Sequence, residues 1–590
     1  MVKDRIKNLR DLMIKYNIDA YIVPTSDPHQ SEYIAKYYKT REYISGFTGS
    51  AGTFAITKNK AGLWTDGRYF IQAAKELEGS GIDLYKMGLE GTPTIIEFVN
   101  NEVEENGVVA FDGETYSYAD YLNLKNSLVN KKIESNRDLI DEIWENRPNK
   151  PSDKVFLHDV NYAGATTEEK ISEVRDFMEK NKVDYYLLSS LDDISYLLNI
   201  RGLDVDYNPV VLSYVLINKD KARLFVDLKK LDEKIISNLK LNGVEVEEYE
   251  AIFEQLQDLD PTKTIYFNPN RVNVRLFNSI PENINKKTGI DFTTSMKAVK
   301  NTTEIKNQRN AYIKDGVALV KFLNWVEENV SSNKEITEMD CSRRLLEFRK
   351  EQELFIEPSF ETISAYGENA ALPHYSPSDE SPVYLRSKGL YLVDSGGQYL
   401  DGTTDITRTI ALGDLTEDEK LHYTLTLRSH ILLMLTIFKK GTKSSALDII
   451  ARQPLWEKGI DFNHGTGHGV GYFLACHEGP QNISPRHNNI DMIPGMITSN
   501  EPGVYIEGSH GIRIENIMLC IDKFQTKFGD FYGFESLSLC PIDTKPVIKE
   551  LLREEEVQWL NEYHNRCYKE LSKYLDGKDL EYLKEKTKAI

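Results

Sequence analysis

Residues 389–413, GLYLVDSGGQYLDGTTDITRTIALG, carry two apolar, strand-like flanks around a centre rich in Gly and Asp. Asp394 ends the first flank and Asp405 begins the second. A hairpin-like return of the chain would bring both carboxylates to one place. Because two adjacent carboxylates raise each other's pKa unless a cation lies between them, the stretch predicts a metal site on β-structure. A turn or helix-capping role stays open for either Asp taken alone.

Further candidate ligands lie in three later segments: HGTGHGVG at 464–471, SNEPGVY at 499–505 and GIRIEN at 511–516. The glycines of the first make a helix unfavourable, so His464 and His468 are not the paired histidines of a helical HExxH zinc motif. Glu501 precedes Pro and Gly at a predicted turn. Glu515 lies within a predicted strand, where Arg513 on the same face is an alternative, structural partner for its charge.

The candidate set comprises four carboxylates and one imidazole: Asp394, Asp405, His468, Glu501 and Glu515. Four carboxylates balance the charge of two divalent cations. Two metal ions with a water between them can activate that water for hydrolysis. Oxygen-rich ligation with a single imidazole favours manganese, with cobalt, iron or zinc as alternatives. The chain is therefore predicted to be a metal-dependent hydrolase with two divalent ions per subunit.

The bulk composition limits the size, partners and compartment of the protein. A chain of 590 residues is too long for one core and predicts about three domains. The formal net charge of −20 offers no basic face to phosphates, so we expect no nucleic-acid partner. We find no apolar run of membrane-spanning length and no secretory signal, so we expect no membrane association. The 5 scattered cysteines lack CxxC spacing, which favours a reduced cytoplasmic protein.

Two boundary signals divide the chain. The segment ENRPNKPSDK, at 145–154, is rich in Pro and Asn and almost free of apolar residues, as linkers are. Farther on, Asn301 and Glu304 have capping-box spacing ahead of a helical apolar pattern. The predicted domains span these ranges: residues 1–150, 151–295 and 296–590.

The first two predicted domains look like copies of one another. LRDLMIKYNIDAYIV (9–23) aligns without a gap with VRDFMEKNKVDYYLL (174–188), with 6 identities in 15 positions. Each copy indicates an amphipathic helix followed by an apolar strand. The third domain turns from helical patterns to Gly-rich strands after Phe355 and ends in an amphipathic helix over Val557–Tyr574. The predicted fold class is α+β, with two related N-terminal α/β domains before a C-terminal catalytic domain.

In their order and spacing these motifs resemble aminopeptidase P, the Xaa-Pro aminopeptidase family of the pita-bread metallopeptidases, in its long three-domain form. The resemblance includes HEGP at 477–480 and WLNEYH at 559–564. It extends to ISGFTGSAGTFAITKNKAGLWTDGRYFIQAA, residues 44–74, in the first domain. The family implies two creatinase-type domains, a pita-bread catalytic domain with a C-terminal helical extension, and a homodimer.

The resemblance also implies metal-binding roles for the candidate ligands. Asp394 would bind one ion, and Asp405 and Glu515 would bridge both. His468 and Glu501 would complete the second ion. The implied reaction releases the N-terminal residue from peptides with proline at position two, by attack of a metal-activated water with Glu501 as general acid–base.

Substrate-binding roles follow from the same resemblance. His374 and His477 would hydrogen-bond the substrate and the tetrahedral intermediate. His464 would line the specificity pocket, and Arg68 would reach a bound peptide. An ion pair with Asp66 is the structural alternative for Arg68.

Three other functions stay open at this point. A prolidase would use the same ligands on dipeptides only, although the duplicated N-terminal half and the chain length favour aminopeptidase P. A methionine aminopeptidase would leave residues 1–295 without a role. A non-catalytic pita-bread protein, such as a histone-chaperone subunit, would suit an acidic surface but lacks the ligands, so metal content discriminates it.

Overall fold

The computed structural model describes residues 2–590, and the first predicted domain alternates helices with strands. Its elements follow in chain order: α1 (Val2–Lys15), β1 (Ala20–Pro24), α2 (Thr40–Ser45), β2 (Thr53–Thr57), β3 (Ala61–Thr65), α3 (Phe70–Glu76), β4 (Asp83–Lys86), α4 (Ile95–Glu102), β5 (Val108–Phe111), α5 (Tyr118–Ser127) and β6 (Lys132–Glu134). They form a six-stranded sheet in the order β4-β3-β2-β1-β5-β6. Strand β2 runs antiparallel to β1 and β3, whereas the other neighbouring pairs are parallel.

The second predicted domain repeats this topology. The elements of this part of the chain follow in order: β7 (Phe156–Leu157), α6 (Val160–Ala163), α7 (Thr167–Lys180), β8 (Tyr185–Leu188), α8 (Leu191–Leu198), β9 (Ile200–Arg201), β10 (Ser213–Asn218), β11 (Ala222–Val226), α9 (Glu233–Leu241), β12 (Val244–Glu247), α10 (Ala251–Gln257), β13 (Thr264–Phe267), α11 (Val274–Ser279), β14 (Asn285–Thr288) and α12 (Phe292–Ala298). The sheet order is β12-β11-β10-β8-β13-β14, and β10 is antiparallel to both of its neighbours while the other pairs are parallel.

The sequence repeat lies on equivalent elements of the two sheets. Residues 9–23 fall on α1 and β1, and residues 174–188 fall on α7 and β8. Leu9 and Met13 of the first copy are buried, as are their counterparts Val174 and Met178. The same apolar positions pack each helix on its sheet, which confirms the predicted relationship between the two domains.

The third predicted domain begins with long helices and then turns to strands, as its sequence pattern indicated. Its elements are α13 (Thr302–Ser331), α14 (Glu338–Lys350), β15 (Phe355–Pro358), β16 (Ile363–Tyr366), β17 (Leu390–Ser395), β18 (Gly397–Tyr399), β19 (Gly402–Thr403), β20 (Ile406–Ala411), α15 (Glu417–Leu435), β21 (Phe438–Lys439), α16 (Asp448–Trp456), β22 (Gly467–Gly469), β23 (Glu478–Ile483), β24 (Ile497–Asn500), β25 (Gly503–Ile506), β26 (His510–Arg513), β27 (Asn516–Thr526), β28 (Gly529–Ser536), α17 (Glu554–Leu571) and α18 (Gly577–Lys586). Short 3-10 helices span Lys36–Tyr38, Leu228–Lys230, Gly367–Ala371, Ser444–Leu447, Lys549–Leu551 and Ser572–Tyr574.

Three small sheets and one larger sheet contain the strands of this domain. The larger sheet has the order β21-β28-β27-β24-β22-β23, and a three-stranded sheet has the order β16-β17-β20. Strands β15, β18 and β19 form a second three-stranded sheet, and β25 and β26 form a hairpin. Helix α13 packs its buried face, which includes Phe322 and Leu323, into the core beside these sheets. The mixture of helices and antiparallel strands confirms the α+β class.

Local sequence signals set the helix ends. The Asn301 side chain accepts hydrogen bonds from Thr303 N–H (2.9 Å) and Glu304 N–H (3.0 Å). The Glu304 carboxylate accepts from Asn301 N–H in return, at 2.9 Å, which completes the predicted capping box of α13. In α17 the predicted apolar stripe is buried at Leu560 and Cys567. Its prediction is wrong at Tyr574, which lies beyond the end of the helix and is 59% exposed.

By its internal contacts the chain divides into two units. The first comprises the residues up to His158 together with Ala165–Thr293, and the second comprises Asp159–Gly164 together with Thr294–Ile590. The predicted linker 145–154 forms neither helix nor strand within the described chain. The sheets of the first two predicted domains both fall in the first unit, and the domain boundaries after residues 150 and 295 stay predictions.

Two further properties bear on the compartment. Within residues 2–590, none of the helices combines the length and apolar character needed to cross a bilayer. The five cysteines, all in this described range, are free and buried: Cys341, Cys476, Cys520, Cys540 and Cys567.

Candidate metal centre

The two aspartates of residues 389–413 meet across a pair of antiparallel strands. Strand β17 ends with Asp394 and Ser395, and β20 begins directly after Asp405. The strands pair with Asp394 opposite Thr407, so the chain returns as the sequence predicted. Both carboxylates are buried, with 8% of Asp394 and 3% of Asp405 exposed.

His468 approaches this pair from the larger sheet. Its Nε2 lies 3.4 Å from Asp405 Oδ2 and 3.4 Å from Glu501 Oε1. Its Nδ1 lies 3.0 Å from the carbonyl of Gly469, which can only accept, so Nδ1 carries the proton. With Nδ1 bound to this carbonyl, Nε2 is the nitrogen that faces the carboxylates and that could ligate a metal ion after losing its proton.

Glycine is required next to His468 because the backbones approach closely. A Cβ on Gly467 would lie 1.9 Å from the carbonyl oxygen of Ser499, so a larger residue would separate β22 from β24. Glu501 follows β24 directly, and its N–H donates to Thr466 O at 2.8 Å. Strand pairing therefore sets the histidine and the glutamate at the same end of the sheet.

Glu515 lies at a break between strands rather than in the middle of one. Strand β26 ends at Arg513 and β27 begins at Asn516, so the predicted shared strand face is wrong. The Glu515 N–H donates to Thr407 O at 3.2 Å, and the Thr407 hydroxyl donates to Glu515 Oε2 at 2.8 Å. The alternative ion pair with Arg513 is also wrong, because Arg513 NH2 binds Asp394 Oδ2 at 2.6 Å.

Two sets of potential ligand atoms cluster within 4.8 Å among the described residues. One set is Asp405, His468 and Glu515, and the other is Asp405, Cys476 and His477. The Cys476 thiol donates to Asp405 Oδ2 at 3.2 Å. Sequence reasoning missed this cysteine, and its position next to His477 was the one available signal.

The carboxylates of this cluster are under strong mutual repulsion. Burial raises the pKa of Glu515 well above its usual range, and the neighbouring charges of Asp405 and Asp394 raise it further. Burial also raises the pKa of Asp394 and of Glu501. The buried Oδ1 of Asp394 has no protein hydrogen-bond partner. Such a donor set fits divalent cations, which would neutralise the crowded charge and occupy the unpartnered oxygen.

Contact between Asp405 and His468 shifts their pKa values in opposite directions: it lowers that of Asp405 and raises that of His468. Burial alone would raise the pKa of Asp405, but the hydrogen bond from His468 lowers it below the usual value. Burial alone would lower the pKa of His468, but the contacts with Asp405 and Glu501 raise it to about 9. The protein supplies one imidazole where four carboxylates converge, which again leaves negative charge in excess.

Of the four predicted substrate-binding residues, His477 lies beside the cluster. The ring of His477 stands perpendicular to that of His468 with centroids 4.3 Å apart. His374 is half-buried in the turn after the 3-10 helix Gly367–Ala371. The neighbouring Pro373 carbonyl accepts from Arg513 NH2 at 3.4 Å, which links that turn to the partner of Asp394.

His464 is connected to the cluster through hydrogen bonds. The carbonyl of Gly465 accepts from its Nδ1 at 2.7 Å, so Nε2 accepts from the Tyr505 hydroxyl at 2.8 Å. Arg513 NH1 donates to the Tyr505 oxygen at 2.7 Å and thereby continues the chain of contacts to Asp394. The imidazole also lies 4.8 Å from the Phe462 ring, so this histidine borders an aromatic surface.

Arg68 belongs to the first unit, directly after β3. Its Nε donates to Asp66 Oδ1 and its NH2 to Asp66 Oδ2, both at 2.8 Å. This bidentate pair matches the structural alternative foreseen for the residue. The hydrogen bonds to Asp66 raise the pKa of the guanidinium, which stays charged.

Family models match the chain along most of its length. Two matches to the creatinase/prolidase N-terminal domain cover residues 5–143 and 146–304. Metallopeptidase family M24 matches residues 306–522, and the C-terminal region of peptidase M24 matches 530–590. The class is therefore a metallopeptidase that carries two creatinase-type domains before a pita-bread domain.

Full-length relatives narrow this class. Aminopeptidase P2 of Arabidopsis thaliana is 40% identical over 617 residues, covering 98% of this chain and 87% of the relative. Xaa-Pro aminopeptidase 1 of Dictyostelium discoideum is 40% identical, covering 100% of this chain and 97% of the relative. The chain belongs to the aminopeptidase P family, the Xaa-Pro aminopeptidases.

A crystal structure supports the same assignment. The X-prolyl aminopeptidase of Caenorhabditis elegans is 34% identical and superimposes with a TM-score of 0.96 over 100% of both chains. That protein is described as a cytosolic enzyme with a di-nuclear active site.

Proposed function

We propose that this enzyme is a dinuclear-metal aminopeptidase that removes the N-terminal residue from peptides with proline at position two. The observation that carries the proposal is that four buried or half-buried carboxylates converge with one imidazole. The positively charged side chains beside them are too few to balance their charge. The names of the full-length relatives supply the substrate class.

The ligand set divides between two ions in the proposal. Asp394, Asp405, His468, Glu501 and Glu515 would hold the two ions, with Asp405 and Glu515 available to both. The donor chemistry is four carboxylates and one imidazole nitrogen, which favours manganese, with cobalt, iron and zinc as alternatives. Arg513 at 2.6 Å from Asp394 fixes the orientation of that carboxylate, as a second-layer contact does in metal sites.

When bound, the two ions supply a water whose pKa is lowered toward neutrality and polarise the scissile carbonyl. Glu501 takes the proton of the attacking water and gives it to the leaving proline nitrogen. The Ser499 hydroxyl donates to Glu501 Oε1 at 3.0 Å, which orients the carboxylate and leaves Oε2 for proton transfer.

The surrounding histidines bind the substrate in this proposal. His374 and His477 hydrogen-bond the peptide and the oxyanion that forms at the scissile carbonyl. His464 borders the pocket for the proline ring, where Tyr505, with its ring 5.4 Å away, contributes apolar surface. Arg68 binds the peptide at a position farther from the cleaved bond, and its pairing with Asp66 orients the guanidinium.

Proline at position two explains why a dedicated enzyme is needed. The bond before proline is a tertiary amide without an N–H, so a peptidase that grips an amide hydrogen there loses a contact. A site that binds the carbonyl and the pyrrolidine ring instead avoids this loss. The proposed site offers contacts to the carbonyl and to the pyrrolidine ring through His374, His477 and His464.

The decisive experiment compares an Arg-Pro-Pro tripeptide with an Ala-Pro dipeptide on chelator-stripped protein, with and without added manganese. Manganese-dependent release of arginine, with the dipeptide poorly cleaved, is the expected result. Cleavage of the dipeptide alone would identify a prolidase. Folded protein that binds no metal and cleaves neither peptide would support the non-catalytic binding function.

Compartment and assembly are part of the same proposal. A cytoplasmic enzyme is consistent with the free cysteines and with the cytosolic description of the Caenorhabditis elegans protein. We also propose a homodimer, which sedimentation of the manganese-loaded protein would test.

A further inference from the structure

A large β-bulge faces His468 in the larger sheet. Strand β22 pairs with β23 so that His468 opposes Asn482, but the next residue, Gly469, opposes Glu478. Residues 479–481 are therefore looped out between two adjacent positions of the ladder. Bulges of this kind redirect side chains near active sites, and here the residue before Glu478 is His477.

The bulge is closely fitted to the Gly-rich strand. A Cβ on Gly469 would lie 2.0 Å from the Glu478 carbonyl oxygen, so only glycine permits this approach. On the looped-out side, the Gln481 amide donates to Ile497 O at 3.1 Å. The backbone of the bulge is thus held at both ends, and it sets the His477 ring 4.3 Å from the His468 ring.

The side chain of Glu478 is buried between two lysines. Lys300 Nζ donates to Glu478 Oε1 at 2.8 Å, and Lys297 Nζ lies 2.9 Å from Oε2. Exposed fractions of the side chains are 5% for Lys297, 1% for Lys300 and 3% for Glu478. Burial of one carboxylate with two ammonium groups is costly, and their mutual attraction offsets this cost only when the contacts are close, as they are here.

The lysines themselves are anchored to the same sheet. Lys300 Nζ also donates to the Lys297 carbonyl at 2.8 Å, and the Lys300 N–H donates to Gly495 O at 2.9 Å. Val299 forms an isolated bridge with Met496, directly before β24. The segment before α13 is therefore fastened beside the strand that leads to Glu501.

We propose that Lys297 and Lys300 are positioning residues for the peptidase reaction: by clamping Glu478 they hold the bulge that sets His477 against His468. The inference rests on the proposed function of the site. It adds two residues that act on the reaction through Glu478 and the position of His477. Their loss changes the geometry of the oxyanion contact and leaves the five metal ligands in place.

The main test is Lys300→Met in the full-length, manganese-loaded enzyme with the Arg-Pro-Pro tripeptide. This variant leaves Lys297 paired with Glu478, so the buried charge stays balanced. We expect kcat to fall by about 10-fold or more while KM changes by less than about 2-fold, since the altered contact forms mainly in the transition state. Manganese content per chain is expected to equal that of the unmodified enzyme.

A double variant separates clamping from a pure charge effect. Lys300→Met with Glu478→Gln keeps the same net charge as the original triad, because one cation and one anion are both removed. If the lysines act through their electric field, the double variant retains kcat. If they act by clamping, the double variant is at least as slow as Lys300→Met, and this is the result we expect.

The chain contains a matched control. Glu327 also has two lysine partners, Lys586 at 2.6 Å and Lys545 at 3.4 Å, in the C-terminal part of the same unit. Lys586→Met removes one of them and leaves the other, as Lys300→Met does for Glu478. We expect this control to keep kcat within about 2-fold. Its loss of thermal stability should be smaller than that of Lys300→Met, because Lys545 and Glu327 are 56% and 20% exposed.

Equal kcat in Lys300→Met and Lys586→Met would overturn the proposal. If Lys300→Met fails to fold, Lys297→Met is the replacement, and a crystal structure of the variant that folds gives a second readout. A separation of the two histidine rings unchanged from 4.3 Å would also overturn it. Failure of the proposed function is distinguishable, because the unmodified protein would then leave the tripeptide intact.

Discussion

Two buried charged sites, one in each unit of this protein, differ in how their charge is balanced. In the first unit, Lys230 and Asp204 form a buried ion pair at 2.6 Å, with 3% and 1% of their side chains exposed. In the second unit, Asp394, Asp405 and Glu515 are all buried within one cluster, where Arg513 binds one of them. The Lys230–Asp204 pair balances its own charge, and the Asp394, Asp405 and Glu515 cluster leaves an excess of carboxylate.

This difference indicates which buried carboxylates need a bound cation. A buried carboxylate that has a protein cation beside it contributes to the fold and needs nothing more. Buried carboxylates that raise one another's pKa destabilise the protein unless a cation is added, so they mark a functional site. Burial by itself does not distinguish the two situations, whereas the balance of charge does.

The largest expected effect follows from Glu501→Gln in the second unit. Loss of the carboxylate removes the proton acceptor, and we expect turnover of the tripeptide to fall on the order of 10³-fold. The protein should remain folded, as circular dichroism will show. Glu335→Gln, at a glutamate whose side chain is 72% exposed, is the control and should keep full activity. Full activity of Glu501→Gln would remove Glu501 from the mechanism.

The next effect concerns a neutral buried group in the first unit. His29 donates from Nδ1 to Ser189 O and accepts at Nε2 from the Tyr249 hydroxyl, both at 2.9 Å. Burial lowers its pKa to about 4, although the charge of Asp27 opposes the shift. Between pH 6.5 and about 4 the unfolded chain therefore binds a proton that the folded chain excludes.

Stability of the first unit is thus expected to fall as the pH is lowered through this window, by about 3 kcal/mol from this group. The measurement is urea unfolding at several pH values. His29→Gln should flatten the dependence by that amount, and His487→Gln, at an exposed histidine, should leave it unchanged. A pH dependence that is the same in both variants would contradict the assignment.

Metal addition gives the third effect and sharpens the contrast between the units. Added manganese neutralises the excess carboxylate, so it should stabilise the second unit by about 2.7 kcal/mol at 100 times Kd. Calorimetry of the chelator-stripped protein measures the shift. Asp405→Asn should abolish it, whereas Asp204→Asn in the first unit should preserve it. An equal shift in the Asp405 variant would place the metal elsewhere.

The smallest effect concerns features that the two units share. Thr166 caps α7 in the first unit and Thr416 caps α15 in the second, each through a capping box. Replacement of either threonine with Ala should cost about 1 kcal/mol, because one helix N–H loses its partner. Neither variant should alter kcat or manganese content. A larger effect on one unit would show that the caps are not equivalent.

Local patterns predicted much of the fold. The gapless match between residues 9–23 and 174–188 corresponds to α1–β1 and α7–β8 of two sheets with the same strand pattern. The capping residues Asn301 and Glu304 mark the start of α13. These features are readable because helix caps and apolar periodicity depend on residues a few positions apart.

The contacts of the candidate site followed from the sequence only in part. Asp394, Asp405 and His468 come together as their residue types suggested. The sequence assigned Arg513 as a potential partner of Glu515, but it binds Asp394, 119 residues away in the chain. The break between β26 and β27 at Glu515 was also missed, since alternation alone predicted a continuous strand.

The amino-acid sequence by itself determined which residue types the protein can bring to a metal, where the repeat lies and where the main helices begin. Only the tertiary structure decided that Cys476 touches Asp405 and that Lys300 reaches Glu478 across 178 residues. The spacing of nearby residues fixes the helices and their caps, because the hydrogen bonds of these elements join residues that are close together in the chain. The partner of a buried charge depends on which strands and helices pack together, and that choice is made by the whole chain.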